Sequence, residues 1–220
     1  MSAMTRAALL SLFFPTKCAF CGHVSARGVC EACERTLPRT EPPLREGAGY
    51  GKCAVPLKYE GDVREALLRF KFRGGRGAAE GFGWLLARCV AEELGGTFDT
   101  VTYAPVSEKR RAGRGYDQAY LLARETARHW GVKPLTLLCK TRDNPPQSSL
   151  DAAARRGNAV GVYEPREVEK IKGARILLID DILTTGSTLS ECARVLRGAG
   201  AAAVVCACLA AAAVGADQAR

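Results

Sequence analysis

The sequence predicts an α/β protein, a parallel sheet flanked by helices with a small cysteine-rich module in front of it. Three observations carry that expectation. Residues 176–179 read Ile-Leu-Leu-Ile, an apolar run without polar alternation, which marks a strand buried on both faces and hence a parallel sheet. Strand and helix patterns follow one another through the chain on either side of it. Four cysteines, Cys18, Cys21, Cys30 and Cys33, stand together before the first of these patterns.

The 220 residues allow one large domain, or one domain with a small appendage, and a substantial core. Hydrophobic residues at 47% and charged residues at 25% are ordinary for a globular protein. Lys and Arg number 32 against 23 Asp and Glu, a net charge of +9. That balance suits anionic partners, phosphorylated metabolites or nucleic acid, without choosing between them.

Taken in order, residues 7–14 form an apolar run of eight, well short of the roughly 20 needed to cross a bilayer. Pro15-Thr16-Lys17-Cys18 stands where a secretory signal would carry small cleavage-site residues. A helix docked on its own domain is expected there, and a cytoplasmic protein with no membrane span. The cysteines follow as C-x2-C, eight residues, C-x2-C, a spacing that lets four thiolates converge tetrahedrally on one structural zinc ion and leaves no open position for catalysis. Gly22 and Gly28 suit the tight turns around it, and His23 is expected to be a bystander. A disulfide reading needs an oxidising compartment, whereas Cys53, Cys89, Cys139, Cys192, Cys206 and Cys208 lie in apolar contexts like reduced core residues.

Residues 36–51, rich in Pro and Gly, read as a linker without regular structure, dividing a module at 1–40 from a larger domain at 50–210. A strand is expected over 53–59. A helix starting at Gly61-Asp62 follows, with Val63, Ala66, Leu67 and Phe70 on its inner face. The basic, glycine-rich turn 71–77 is an anion contact or a solvated loop. A second helix over 78–94 brings Trp84, Leu85 and Val90 to the core. A strand over 98–104 then meets Pro105-Val106-Ser107 and a segment carrying Lys109, Arg110, Arg111, Gly113, Arg114 and Gly115. Glycine lets backbone amides approach a diphosphate and Arg binds its oxygens bidentately; a solvated basic loop is the alternative. Next come a helix over 119–130 with His129 at its frayed end, a short strand over 135–139, and a long polar excursion over 140–158 that reads as a lid. A closing strand over 201–209 and an alanine-rich, fraying end complete the chain.

The central strand leads into Asp180-Asp181-Ile182-Leu183-Thr184-Thr185-Gly186-Ser187-Thr188. Two carboxylates arrive at the strand's end, and a turn of small hydroxyl residues leads into a helical pattern over 189–197. Backbone N–H groups gather at that helix N-terminus and favour a phosphate, while ligands of open α/β sheets bind beyond the strands' carboxyl ends. The geometry suggests a phosphorylated sugar, with its phosphate in the loop and ribose hydroxyls on Asp180 and Asp181. A buried strand followed by an ordinary Ser/Thr-capped helix is the plainer reading, though two acids at a strand end carry a desolvation cost that packing does not require.

This segment closely resembles the phosphoribosyl pyrophosphate (PRPP) motif of type I phosphoribosyltransferases. The resemblance implies that Asp180 and Asp181 hold the ribose hydroxyls of Mg-bound PRPP, while Thr184, Thr185, Gly186, Ser187 and Thr188 wrap its 5′-phosphate. The whole chain from about Phe13 to Leu209 resembles the ComF family of competence-associated, phosphoribosyltransferase-like proteins, which includes the GntX type. That family joins a four-cysteine zinc module to a type I phosphoribosyltransferase-like domain. Lys58-Tyr59-x-Gly61 with Lys71-Phe72 resembles its first block. Pro105-Val106 with Ser107, Arg111-x-x-Arg114-Gly115-Tyr116-Asp117-Gln118 resembles its pyrophosphate-binding block, and Gln147-x-x-Leu150 with Arg155-x-x-Asn158 its flexible-loop block. Tyr116 and Asp117 replace the more usual Phe and Asn.

Salvage enzymes for 6-oxopurines typically carry an Asp where this chain has Thr184, so a hypoxanthine or guanine role is not expected. The resemblance implies transfer of a phosphoribosyl (pentosyl) group from PRPP with Mg²⁺ to an unidentified acceptor, in a protein linked to natural competence. Asp180, Asp181, Arg114 and Arg155 are its candidate catalytic residues, the two arginines stabilising departing charge. The alternative is a non-catalytic sensor or scaffold in single-stranded DNA uptake or recombination, with DNA or competence and recombination proteins as partners. The cations Arg64, Arg69, Lys71, Arg73 and Arg76, and Lys109, Arg110, Arg111 and Arg114, are expected to merge into one positive surface at the pocket mouth. No run of interleaved aromatics offers a base-stacking platform, so any direct DNA binding is expected to be weak and salt-sensitive.

Overall fold

The computed structural model describes residues 16–72, 74–142 and 161–213. In chain order the elements are α1 (Glu31–Thr36), β1 (Leu44–Gly47), β2 (Gly51–Ala54), β3 (Leu57–Lys58), α2 (Gly61–Phe72), α3 (Ala78–Leu94), β4 (Thr100–Tyr103), α4 (Glu108–Arg114), α5 (Gln118–Arg128), β5 (Leu138–Lys140), β6 (Tyr163–Pro165), α6 (Val168–Ile171), β7 (Arg175–Leu183), α7 (Ser187–Gly198) and β8 (Ala203–Ala211). The main sheet runs β1-β2-β8-β7-β4, with β3 also on β8. All its pairings are parallel except that of β1 with β2.

The apolar run of β7 is buried from Ile176 to Ile179, as a strand with covered faces must be. Its alternate residues serve two cores. Leu177 and Ile179 join Leu86, Leu122 and Phe70 from the helices α2, α3 and α5. Ile176 and Leu178 join Leu189, Cys192 and Leu196 of α7 with Leu138 and Tyr163 of the β5–β6 hairpin. α2 buries Val63, Ala66, Leu67 and Phe70, the four positions its periodicity names. Leu85 and Val90 of α3 are buried, while Trp84 is half-buried beneath the guanidinium groups of Arg27 and Arg88.

Several boundaries differ from the sequence reading. Within the expected linker, β1 pairs in register with β2, Leu44 opposite Ala54 through Gly47 opposite Gly51. Ladder hydrogen bonds along an otherwise unpaired strand outweigh a composition poor in strand formers. The strand expected over 53–59 is two strands, broken at Val55-Pro56, since Pro offers no N–H to a ladder. The expected basic loop after Ser107 is the helix α4. The Ser107 hydroxyl accepts from the Arg110 N–H at 3.3 Å, and Gly115 ends the helix in the left-handed region at φ 73°. The expected strand 135–139 is shifted to β5 and pairs antiparallel with β6. β8 takes in Ala210 and Ala211, which were expected to fray. Residues 7–14 and the flexible-loop residues Gln147, Leu150, Arg155 and Asn158 lie outside the described residues, as does Arg73.

The cysteine module docks on α2 and α3. Phe20 packs its ring 5.6 Å from that of Phe82. Gly28 meets Gly81 so closely that a Cβ on Gly28 would lie 2.6 Å from the Gly81 nitrogen. Arg69 donates to the carbonyls of Ala19 at 3.3 Å and Phe20 at 2.9 Å, and Arg88 pairs with Glu34 at 2.6 Å.

Candidate functional site

The acid pair sits where β4 stops supporting β7. Tyr103 pairs with Ile179, the last residue of that register, while on the other side β8 continues beside β7 from Asp180 to Leu183. The carboxylates therefore come just inside the strand rather than after it, at the point where one flank opens. That opening is a cleft of about 550 Å³. Its lining includes both acids, Thr184, Ser187, Thr188, Pro105, Val106, Arg110 and Arg114, together with Lys71, Tyr59, Lys140 and Tyr163. Residues named from three separate stretches of sequence thus meet around one space.

Asp181 is buried and pairs through Oδ1 with Lys71 Nζ at 2.9 Å. Its Oδ2 is buried with no hydrogen-bond partner among the described residues. The Asp181 N–H donates to Asp180 Oδ1 at 2.8 Å. Burial, then the neighbouring Asp181 charge, pushes the Asp180 carboxyl up to about 7, against the pull of Lys71. For Lys71, burial works against the charged form, but Asp181 and Asp180 outweigh it and the net shift is upward.

The hydroxyl loop turns on Gly186, at φ 72° and buried against Tyr50. A side chain there would be strained by the left-handed backbone and would strike that ring. Gly186 is the N-cap of α7 and supplies no side-chain cap, and the first helical amide, that of Ser187, donates instead to the Thr185 hydroxyl at 3.4 Å. Thr184 and Thr185 are exposed, with the Thr185 and Ser187 hydroxyls 3.0 Å apart. Across the cleft, Asp117 fastens the 105–107 segment: Oδ2 accepts from the Val106 N–H at 3.0 Å, and Oδ1 caps α5 through the Tyr120 N–H at 3.0 Å. Burial pushes the Asp117 carboxyl up. Arg114 donates to Gln118 Oε1 at 2.8 Å and lies over the Phe72 ring. Burial lowers its pKa and Asp181 opposes that.

The expected single basic surface forms only in part. Lys71, Arg110 and Arg114 reach the cleft, but Lys109, Arg111 and Ser107 line a neighbouring hollow of about 970 Å³ beyond Pro105 and Val106. Arg69 is turned toward the module, Arg64 pairs with Glu65, and Arg76 donates to the Gly115 carbonyl at 2.6 Å. The sequence places Lys71 in a basic turn and in the first block of the family resemblance, with no role beside the acids, and gives Lys140 and Tyr163 no part in the site; all three reach the cleft through the fold.

The four cysteine sulfurs of the module lie within 4.8 Å of one another, and all four are free thiols. Cys18 is buried, Cys30 caps α1, and the Cys30 sulfur accepts from the Cys33 N–H at 3.5 Å. His23 sets Nδ1 3.3 Å from the Cys21 sulfur, beside the cluster rather than within it. Four soft donors at this separation can hold a tetrahedral metal ion such as zinc.

The phosphoribosyl transferase domain model matches residues 116–220. Among solved structures, the chain is similar to a glutamine PRPP amidotransferase from Bacillus subtilis complexed with ADP and GMP, at 19% identity and a TM-score of 0.44, over 64% of this chain and 30% of that one. The DNA utilization protein YhgH of Escherichia coli K12 is 32% identical over 115 residues, half of this chain and 48% of that protein. Competence protein F of Haemophilus influenzae is 24% identical over 86% of this chain and 93% of its own length. The competence protein ComFC of Bacillus subtilis is 30% identical over 191 residues, 86% of this chain and 74% of that protein. With the four-cysteine module in front and the phosphoribosyltransferase-like sheet behind it, the chain belongs to the ComF family.

Proposed function

We propose that the cleft binds PRPP or a related phosphoribosyl ligand and that the protein transfers the phosphoribosyl group to an acceptor. The observation that carries this reading is the acid pair, Asp181 buried and Asp180 half-buried, beside a glycine-turned hydroxyl loop at the start of α7. Asp181 Oδ2, buried without a hydrogen-bond partner among the described residues, suits a ribose hydroxyl donor. The loop amides and hydroxyls of residues 184–188 suit a 5′-phosphate. Pro105, Val106 and Arg114 line the cleft and would lie toward the diphosphate, with Ser107 and Arg111 on the adjoining hollow, and Arg114 and Arg155 would stabilise charge as it leaves. Mg²⁺ would arrive on PRPP, with Asp180 and Asp181 accepting from the ribose hydroxyls of that complex. Bound with PRPP, Mg²⁺ supplies neutralisation of the diphosphate charge. Calorimetric titration of PRPP, with and without Mg²⁺, tests the reading. Asp180→Asn and Asp181→Asn should each weaken binding by about 1–3 kcal/mol, as for a lost charge-assisted hydrogen bond. Affinity unchanged in both variants overturns it.

The names of the relatives, competence proteins and a DNA utilization protein, favour a second reading that need not exclude the first: a phosphoribosyl sensor or scaffold in the uptake or recombination of single-stranded DNA. Fluorescent-oligonucleotide binding across a salt series, with PRPP as competitor, addresses it. Weak binding whose log affinity falls with log salt, and which PRPP displaces, puts DNA and PRPP on one surface. For the module the reading is one structural zinc ion on Cys18, Cys21, Cys30 and Cys33. A zinc-to-protein ratio near one is expected in unchelated protein, and a ratio near zero removes the assignment.

A further inference from the structure

The last turn of α2 is built against the usual order of its residue types. Phe72 is 63% exposed, while the neighbouring Lys71 keeps only 19% of its side chain in solvent. Surface helices normally turn lysine outward and phenylalanine inward, whereas this turn buries the cation in the cleft and leaves the ring exposed at the cleft's edge, beneath the Arg114 guanidinium. The turn is held in that orientation on both flanks. Arg69 is bonded to the module's carbonyls, and the Phe70 carbonyl accepts from the Tyr116 hydroxyl.

Lys71 Nζ meets one oxygen of Asp181 and leaves the other, Oδ2, buried without a partner among the described residues. Withdrawing an ammonium and a carboxylate from water costs desolvation energy that a surface pair avoids. What the arrangement yields is a carboxylate whose charge is already balanced and whose second oxygen, on the wall of the cleft, lacks a donor such as a hydroxyl among the described residues. The upward shift of Lys71 keeps it charged.

We propose that Lys71 is the fixed counter-cation of the acid pair, so that the ribose phosphate part of the ligand docks on Asp180 and Asp181 with no divalent ion held by those carboxylates. The inference rests on the phosphoribosyl reading of the cleft. It makes Lys71 a positioning residue, with a cation dependence that a merely structural ion pair would not produce.

Ribose 5-phosphate, which lacks the diphosphate, separates the two roles. Titrated calorimetrically into wild-type protein in EDTA and in excess Mg²⁺, it should bind with the same affinity within about twofold. Lys71→Met should bind at least about tenfold more weakly in EDTA, as for a lost charge-assisted contact, and recover in Mg²⁺. Lys71→Arg should retain most of the EDTA affinity. Titration of Mn²⁺ alone, followed by electron paramagnetic resonance, should show an added site in Lys71→Met that disappears when Asp181→Asn is combined with it. Should Lys71→Met not fold, the wild-type comparison and Lys71→Arg still decide. Wild-type binding that requires Mg²⁺, or Lys71→Met binding weakened equally in both buffers, overturns the inference and leaves the phosphoribosyl reading standing. Absence of ribose 5-phosphate binding in every arm overturns both.

Discussion

The cysteine module and the acid-pair cleft solve the same problem, gathering polar groups around one point, by opposite means. All four cysteines fall between residues 18 and 33 and are brought together by local turns, with Gly22 at φ 78° and Gly28 at φ 71°. Among its described residues the helix α1 buries no residue, so this part of the module relies on the cluster and on its contact with α2 and α3. The cleft draws Lys71 from α2, Arg114 from α4 and Asp181 from β7, and a two-sided core holds these elements in place. On the zinc reading proposed above, a site made by spacing depends on its metal, whereas a site made by topology depends on the sheet.

The largest expected effect comes from breaking the cysteine cluster. Cys30→Ser, or chelation, should expose α1 and the knuckle to fast amide exchange and lower the unfolding free energy by more than about 4 kcal/mol, the range of a lost structural metal. Amides of β7 should stay protected. Simultaneous loss of protection in β7 would mean that module and sheet form one cooperative unit. Next, Gly28→Ala should cost about 2 kcal/mol in urea denaturation, combining left-handed strain with a backbone collision at Gly81. A neutral result would show that the module can slide on α3.

The third prediction concerns the cleft. Asp180, held at about 7 in the folded chain against an ordinary value of 3.8, favours a proton on folding. Its contribution to stability is therefore fully present below pH 3.8 and is lost as pH rises toward about 7. Asp180→Asn removes this dependence. Relative to wild type, the variant should gain more than about 1 kcal/mol of stability between pH 4 and pH 8. Asp181, Lys71 and Asp117 face the same carboxyl, and equal pH dependence in both proteins would show that Asp180 does not carry the titration. The smallest effect is expected at the seam between the two regions. Glu34→Gln breaks the partly exposed pair with Arg88 and should cost less than about 1 kcal/mol. A larger cost would make that pair a principal fastening of the module.

The sequence by itself determined what spacing and period can carry. The cysteine quartet, the doubly covered run at 176–179, the acid pair with its glycine-turned hydroxyl loop, and the start and inner face of α2 were all legible there, because each is specified by residues a few positions apart, though α2 runs on through Lys71 and Phe72 of the expected turn. The antiparallel β1 is visible only once β2 offers it a ladder, and the β5–β6 hairpin joins strands far apart in the chain. The tertiary structure decided these pairings because backbone hydrogen bonds between strands carry no local signature. It decided the contents of the cleft for the same reason. A lysine at the end of a helix looks like surface charge in any sequence, and only the packing of α2 against the opened flank of β7 brings Lys71 to Asp181.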